Sequence, residues 1–537
     1  MKRILLYAIC LSGALSASLG LHAQNDITSY RDFDYVRDIN PWLSSVNGAS
    51  LTTFASANLS RADIHWQYAK GGLVDYYQSP SASKTGGSVE SYYRLSKRVV
   101  TYGKISYDHF YGHRMAGSAF IDPSRKPFDL TEDSITNVGN KERDTYNLIG
   151  SIGVDVYHGF SLGAKVDYTS ANSAKYKDLR EKNSYMDLNL TVGFYFPVGK
   201  AFSFGGDYFY RRNTESLRFS TYGKNDKTYK TLINYGGFIG EVEQFGGDGF
   251  TDKQNELPLF DEYGGGSLQA ELRFGDFSLF NSFLMANRHG YYGKQSAYSI
   301  VYTHHHSDVY AYNGCLSLRS KNNFHQLLWN LDIENLKNDR STYRLLQNES
   351  GSNYYQYYDA VKTGNKVWVN GTVAYRGYLG VKNEEPTWII YTGMNIMHRK
   401  ITAYYYPYYR RQSIGNAEGF VELSRNWHIF KGLFTTTVGG SYLNGHGDVC
   451  TDGTFMEPSD KQSFPDQMVT YLHREYEYLT SSQYSIEGSA KYAFTVPKTN
   501  LQSYVKAEIH HHKANETDAY MEGKDNNSIT LSIGCTF

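Results

Sequence analysis

The chain has 537 residues with 54 basic and 54 acidic side chains, so it offers no long-range field that would recruit nucleic acid. It carries 50 tyrosines, 50 glycines and 28 phenylalanines against only 11 prolines, a composition typical of β-sheet with aromatic girdles. Beyond the N-terminal segment no run of about 18 apolar residues occurs, which excludes membrane-spanning helices.

The N-terminus is typical of an export signal. Lys2 and Arg3 precede an apolar run that ends in small residues before Gln24, so residues 1–23 are predicted to be a cleaved signal peptide. The run is too short, and too rich in serine and glycine, for a membrane anchor. Residues 24–60 lack a long alternation and are predicted to form a small periplasmic or lumen-inserted segment.

A two-residue period decides the fold class. Between residues 185 and 196, apolar side chains such as Leu188 and Val192 alternate with polar ones such as Asp187 and Asn189. Similar alternation recurs to the C-terminus, which predicts a transmembrane antiparallel β-barrel over residues 61–537.

A soluble sandwich would also alternate, and the lengths of the connections distinguish the two folds. Membrane barrels have short periplasmic turns and long extracellular loops. Short connections are expected near 157–159, 197–200, 275–276, 321–323, 430–431 and 497–500, and long ones near 113–142, 171–183, 214–262, 338–362 and 447–478. This alternation favours the membrane barrel.

Eighteen strands are predicted, an even number that puts both termini in the periplasm, with sixteen as the alternative. Residues 214–262 or 289–306 could contain another hairpin. The strands are expected near 61–77, 84–95, 98–112, 143–156, 159–170, 184–196, 200–213, 263–274, 276–288, 307–319, 323–337, 363–377, 385–405, 413–427, 431–446, 479–494, 499–514 and 525–537.

Several short motifs carry a family resemblance. They are Asn40-Pro41-Trp42-Leu43, Asn47-Gly48, the run from Tyr102 to Tyr107, and a last strand that ends in Phe537. With these motifs the chain resembles a Bacteroidota family of outer-membrane barrel proteins of unknown function. The resemblance implies the barrel fold and the outer membrane of a Gram-negative bacterium, but supplies no catalytic residue. In that phylum many barrels work beside TonB-dependent receptors and surface lipoproteins, so it also implies one of these as a partner, besides the outer-membrane lipids.

The polar face of the strands is expected to line the lumen. Its charges of both signs would either line a water-filled pore or form ion pairs across a lumen that is filled by protein. The residues expected there are Lys104, Asp108, Lys165, Asp167, Asp187, Asp207, Arg211, Glu271, Arg273, Asp332, Glu334, Arg376, Glu487, Lys491, Lys506 and Glu508.

Histidine triplets at 304–306 and 510–512 lie near the expected extracellular rim. Only the outer two residues of each triplet share a strand face, so the metal-binding candidates are His304, His306, His510 and His512. Polar rim residues without a metal are the simpler interpretation, and no cofactor is expected.

Tyrosine-rich runs at 354–358 and 404–409 lie in or beside expected external loops. An interfacial aromatic belt is their simpler interpretation, and stacking of a sugar or other planar ligand is the alternative.

The functional prediction is a channel or accessory transport component for small solutes. The alternative is a closed structural or receptor-associated surface barrel. A barrel-embedded hydrolase is less favoured, because neither a nucleophile elbow, a zinc-helix motif nor a phosphate loop occurs. A complete TonB-dependent transporter would need about 22 strands, for which the chain is too short.

Overall fold

The computed structural model describes residues 30–132, 137–222, 227–246, 249–499 and 501–537. The predicted signal peptide, residues 1–23, lies outside them. Two α-helices, α1 (Phe33–Asp38) and α2 (Val469–Thr480), and a 3-10 helix at Gly48–Thr53 accompany the strands. None of the helices in the described ranges is long and apolar enough to cross a bilayer.

Twenty-two strands occur in the described residues. In chain order they are β1 Leu59–Gly71, β2 Ser81–Arg94, β3 Val99–Met115, β4 Asp129–Glu132, β5 Gly139–Tyr157, β6 Phe160–Lys175, β7 Arg180–Val198, β8 Phe202–Ser220, β9 Lys230–Gly236, β10 Ile239–Gln244, β11 Leu257–Phe274, β12 Phe277–Gly293, β13 Val301–Ser320, β14 Asn323–Gln347, β15 Asn353–Leu379, β16 Trp388–Tyr405, β17 Tyr408–Ile429, β18 Gly432–Thr454, β19 Asp466–Gln467, β20 Gln483–Thr495, β21 Gln502–Ala514 and β22 Asp525–Thr536.

Eighteen of these strands form one closed antiparallel barrel, and β1 pairs with β22 to complete it. Each barrel strand overlaps one of the eighteen predicted from the sequence, so that prediction is confirmed. The remaining strands, β4, β9, β10 and β19, form a separate four-stranded sheet. The hairpin that the sequence allowed within 214–262 is β9–β10, which belongs to this second sheet.

Two of the predicted long loops were wrong. Residues 171–183 and 338–362 are mostly strand, with turns only at 176–179 and 348–352. The strands continue past the end of the apolar alternation, and their outward positions become polar there, as at Lys337 and Asp339 on β14. The apolar period therefore ends before the hydrogen-bonded ladder does.

The connections divide the barrel into two ends. At the turn end, strands are joined by tight connections such as 158–159 and 430–431; at the loop end, segments such as 116–138 and 455–482 intervene. Residues 30–58 precede β1 and meet the barrel at the turn end, where Arg31 pairs with Glu384 at 2.6 Å.

The outer wall carries an exposed apolar belt between two aromatic girdles. The loop-end girdle contains Tyr68, Tyr107, Tyr146, Tyr208, Tyr310 and Tyr442, and the turn-end girdle contains Tyr93, Tyr157, Phe274, Phe277, Trp427 and Phe494. On β5 the girdles lie eleven residues apart, from Tyr146 to Tyr157. At about 3.4 Å per residue and about 40° of tilt, that separation spans roughly 25–30 Å, the height of a bilayer core.

The alternation on β7 gives a testable orientation. Leu190 and Val192 are exposed on the outer wall, so Leu188 shares their face and Asp187 faces the lumen, where Arg211 pairs with it at 2.6 Å. In a background without native cysteines, we expect Leu188→Cys to react several-fold faster than Asp187→Cys with a lipophilic maleimide supplied from the bilayer. Faster reaction at position 187 would reverse the assignment.

Candidate functional site

Residues 30–58, the N-terminal insert, fill the lumen at the turn end. The indole of Trp42 is buried edge-on between Tyr195 and Phe280, and its N–H donates to Glu271 Oε2 at 2.7 Å. The Nδ2 of Asn47 donates to Gln269 Oε1 at 2.9 Å. Apolar packing and directed hydrogen bonds therefore fix the insert to the wall.

Glycines let the insert lie directly on the barrel wall. A Cβ at Gly48 would meet the carbonyl oxygen of Ala164 at 2.6 Å, and one at Gly163 would meet the backbone nitrogen of Ala49 at 2.2 Å. Since neither backbone can move aside cheaply, both positions require glycine, and the 3-10 helix packs backbone against backbone.

A second insert fills the loop end. We call it the loop insert; it comprises the sheet of β4, β9, β10 and β19, helix α2 and their connecting residues. Its core includes Phe128 and Ile233, which pack against Leu217, Leu259 and Tyr292 of the barrel. The loop end of the lumen is therefore occupied by a packed apolar core.

Buried ion pairs join the loop insert to the wall. Arg288, 2% exposed, donates to Asp261 at 2.7 Å, to Glu334 at 2.8 Å and to the carbonyl oxygen of Arg125 at 3.1 Å. Arg125 itself belongs to the insert and pairs with Glu334 at 3.1 Å. His305 Nε2 lies 2.6 Å from Asp261. One network thus connects four barrel strands, β11 to β14, with the insert.

Two acidic groups in the loop-end segments lie away from water. Burial, and then the negative charge of Glu475, raises the pKa of Asp75 to about 8. Burial also raises the pKa of Asp129 to about 6, although hydrogen bonds from Ser118 and Tyr76 favour its charged form. Burial therefore favours the neutral form of both carboxyl groups.

A polar chamber of about 690 Å³ lies in the middle of the barrel. Strand β14 shows its position: Gln326 donates to the Asp38 carbonyl oxygen of the N-terminal insert, Asn330 lines the chamber, and Asp332 pairs with Arg125 of the loop insert. These side chains follow one another along one face of one strand, so on this side the chamber lies between the two inserts.

Carboxylates outnumber the cationic side chains in the chamber lining. Asp38, Glu418, Glu422 and Glu487 line it against one guanidinium, that of Arg376, which pairs with Asp38 at 2.7 Å. Amide and hydroxyl groups also line it. An excess of negative charge in a partly enclosed space favours cationic or neutral polar solutes over anions.

All sixteen polar residues expected in the lumen point away from the exposed apolar face of their strands: Lys104, Asp108, Lys165, Asp167, Asp187, Asp207, Arg211, Glu271, Arg273, Asp332, Glu334, Arg376, Glu487, Lys491, Lys506 and Glu508. The structure does not gather them into one site. Arg376 and Glu487 line the chamber. Others hold the inserts, as Glu271 does for Trp42, or pair along the wall, as Lys506 and Glu508 do at 2.7 Å.

The structure does not bring the four histidine candidates together in one site. His304 and His306 share the outward parity of Tyr310 on β13, whereas the middle residue, His305, points inward. Side chains at every second position of β13 face outward with the exposed tyrosines. His304 and His306 occupy such positions and therefore point away from the lumen.

The second pair lies on the other side of the wall. His510 and His512 face the lumen, opposite in parity to exposed Ile509, with ring centroids 6.2 Å apart. Within the described ranges no group of three His, Cys, Asp or Glu side chains is placed to hold a metal ion.

Sequence reasoning missed the residues that organise the lumen. Arg125 lies in a loop, and Asp261 and Arg288 lie on strands near the predicted rim, so nothing local indicates that they meet. Glu418 and Glu422 could have been found, because they occupy the polar parity of β17, opposite to exposed Val421 and Leu423.

A family profile matches residues 48–537. The chain belongs to DUF6850, a family of unknown function. The expected membership in a family of unknown function is thereby confirmed. The DUF6850 match begins at Gly48, so it includes the 3-10 helix, the barrel and the loop insert.

Several solved structures resemble the barrel at low identity. The ferric preacinetobactin receptor BauA from Acinetobacter baumannii has a TM-score of 0.39 and 9% identity over 90% of this chain and 80% of its own. The outer membrane transporter YddB from Escherichia coli has a TM-score of 0.39 and 7% identity over 89% and 81%. The ferric-catecholate import receptor Fiu from E. coli K12 has a TM-score of 0.38 and 7% identity over 90% and 82%. Similarities at this level assign no function to the DUF6850 chain, and no curated protein matches it.

Proposed function

We propose that this protein is an outer-membrane barrel with a closed lumen that serves the transport of small solutes as an accessory component, and that it is not an enzyme. The observation that carries the proposal is the pair of inserts that occupy both ends of the lumen. Residues 1–23 would export the chain to the outer membrane of a Gram-negative bacterium.

The outer wall supports the location. Exposed Leu, Ile and Val side chains between two aromatic girdles would be costly in water, whereas a bilayer covers such a belt. Most soluble proteins expose no continuous apolar band around their circumference.

The contacts of the inserts support a closed lumen. A barrel of eighteen strands is wide enough to enclose a water-filled passage. In an open channel that passage would run through the lumen. Instead, Trp42 and Asn47 fix one insert, and Arg125 and Arg288 fix the other. An open diffusion channel would require both inserts to leave.

Conductance in a planar bilayer tests the proposal. We expect the wild-type barrel to show no steady open steps. A variant that lacks residues 30–57 and carries short Gly-Ser linkers in place of 119–131, 229–245 and 457–480 should conduct. Cations should be favoured over anions because Glu418, Glu422 and Glu487 remain in the lumen. The reversal potential in a salt gradient measures that preference.

Variants that lack one insert serve as matched controls and should stay largely closed. A shift in the gel mobility of unheated samples would show that each variant is folded. Steady steps from wild-type protein, or none from the folded double variant, would contradict the proposal.

A further inference from the structure

The β14–β15 hairpin rises above its neighbours at the loop end. The last pairing of β14 with β13 joins Arg340 to Thr303, and β15 first pairs with β16 at Gly364 and Ala403. Residues 342–347 and 353–358 therefore pair only with each other, and Val361 and Lys362 pair only with Arg340 and Asp339 of β14. The upper part of β15 is an open sheet edge about ten residues long.

This edge is accessible. Every residue from 353 to 362 is exposed except Tyr355, which is half-buried. In the described part of the chain, no backbone group of residues 354–362 hydrogen-bonds to a backbone outside the hairpin. Backbone N–H and C=O groups that point away from β14 are left as unpaired donors and acceptors.

The edge also stands clear of the membrane. On β14, the lipid-facing apolar residues end near Ile333, and outward-facing Lys337 and Asp339 follow before the protruding part of the hairpin begins. Tyr354 and Tyr358, the latter 52% exposed, therefore lie beyond the loop-end girdle. They do not belong to the interfacial belt in which the sequence placed them.

Nothing in the edge sequence blocks pairing. Proteins usually protect a long edge with proline, several charges or a cover, yet residues 353–362 contain no proline and only Asp359 and Lys362 as opposite charges. Tyr354 and Tyr358 flank one face of the strand and Tyr355 and Tyr357 the other. An added strand would place its side chains against aromatic surface on both faces.

We propose that residues 353–362 are a docking strand, to which an extended, largely uncharged segment of another surface protein adds as a further β-strand. Hydrogen bonds between backbones supply the attachment, and the tyrosines select apolar or β-branched side chains at alternate positions. This inference rests on the proposed accessory role and names the surface that such a partner would use.

A second copy of this chain does not fit the edge. Two barrels in one membrane that are related by a twofold axis along its normal would each tilt their strands by about 40°. Their β15 edges would cross at about twice that angle, whereas neighbouring strands of a sheet differ by roughly 20–25°. A flexible segment of a different chain can align with the edge.

Hydrogen exchange at single-residue resolution tests the docking strand. The purified barrel in detergent is compared with the same protein in native outer-membrane vesicles from the cells that make it. In vesicles we expect every second amide of residues 354–362 to exchange at least about tenfold more slowly, because strand addition protects alternate N–H groups. The tip at 348–352 should not change.

A double variant, Tyr354→Lys with Tyr358→Lys, should lose this protection, since lysines on an edge oppose strand addition. Leu346→Lys, on the same face but on β14, is the matched control and should keep it. Equal exchange in detergent and vesicles overturns the proposal, as does even protection across 348–362, which would indicate lipopolysaccharide cover. The conductance measurement does not depend on this edge, so the two proposals can fail separately.

Discussion

Replacement of Arg288 by methionine should lower the free energy of unfolding by about 3–5 kcal/mol. The side chain is 2% exposed and bonds to both Asp261 and Glu334. Without the guanidinium, the buried negative charges of Asp261 and Glu334 would lose their main cationic partner. An uncompensated buried charge destabilises a fold far more than the loss of a surface ion pair does. Denaturant unfolding in detergent micelles, followed by tryptophan fluorescence and gel mobility, measures the change.

Lys506→Met is the matched control. Lys506 also faces the lumen and pairs with Glu508 at 2.7 Å, but the two side chains are 33% and 40% exposed. Its replacement should cost at most about 1 kcal/mol. Equal losses for the two variants would show that the Arg288 network does not hold the loop insert in place.

Replacement of Trp42 by alanine should release the N-terminal insert. The indole is 1% exposed and fills the space between Tyr195 and Phe280, so its loss should cost about 3–5 kcal/mol. It also leaves Glu271 without the N–H of Trp42. We expect a protease added to the purified barrel to cleave within residues 30–58 of this variant while the wall stays intact.

Trp66→Ala provides the comparison, because Trp66 is exposed on the lipid-facing side of β1 and does not contact the insert. That variant should resist cleavage as wild type does. If both variants are cut at the same rate, Trp42 does not anchor the insert.

The wall of the barrel could be predicted from the sequence because its information is local. Each strand alternates between lipid and lumen, and each pairs with neighbours in chain order, so counting the alternations near Leu188 or Ile509 found all eighteen strands. The upper ends of β14 and β15 were not predicted as strand, because above the membrane both faces of a strand can be polar and the alternation disappears.

The inserts could not be predicted in this way. Strand β10 pairs with β9 and also with β19, which lies more than two hundred residues further along the chain. Such short strands carry too few residues to show a period, and their partners are fixed only after the barrel has brought the loops together. Arg125 meets Asp332 for the same reason.

The histidine rim, by contrast, was within reach of sequence reasoning. His304 and His306 share the parity of Tyr310 and Tyr312, which face lipid, so alternation alone directs them outward. The alternation that places Tyr310 and Tyr312 on the outer face continues into the polar end of the same strand, and it therefore predicts the direction of both histidines.

The seam between β1 and β22 has a consequence for biogenesis. Every other wall contact joins strands that are consecutive around the barrel and close in the chain, but this one joins Arg61 to Thr536. Closing so long a loop is entropically costly, and the search for it is slow. Until the last strand has been delivered, both seam edges are open and prone to pair wrongly. A chain whose first and last strands have not yet paired is therefore prone to aggregate, and a catalyst that holds one edge while the other arrives would shorten the lifetime of that state.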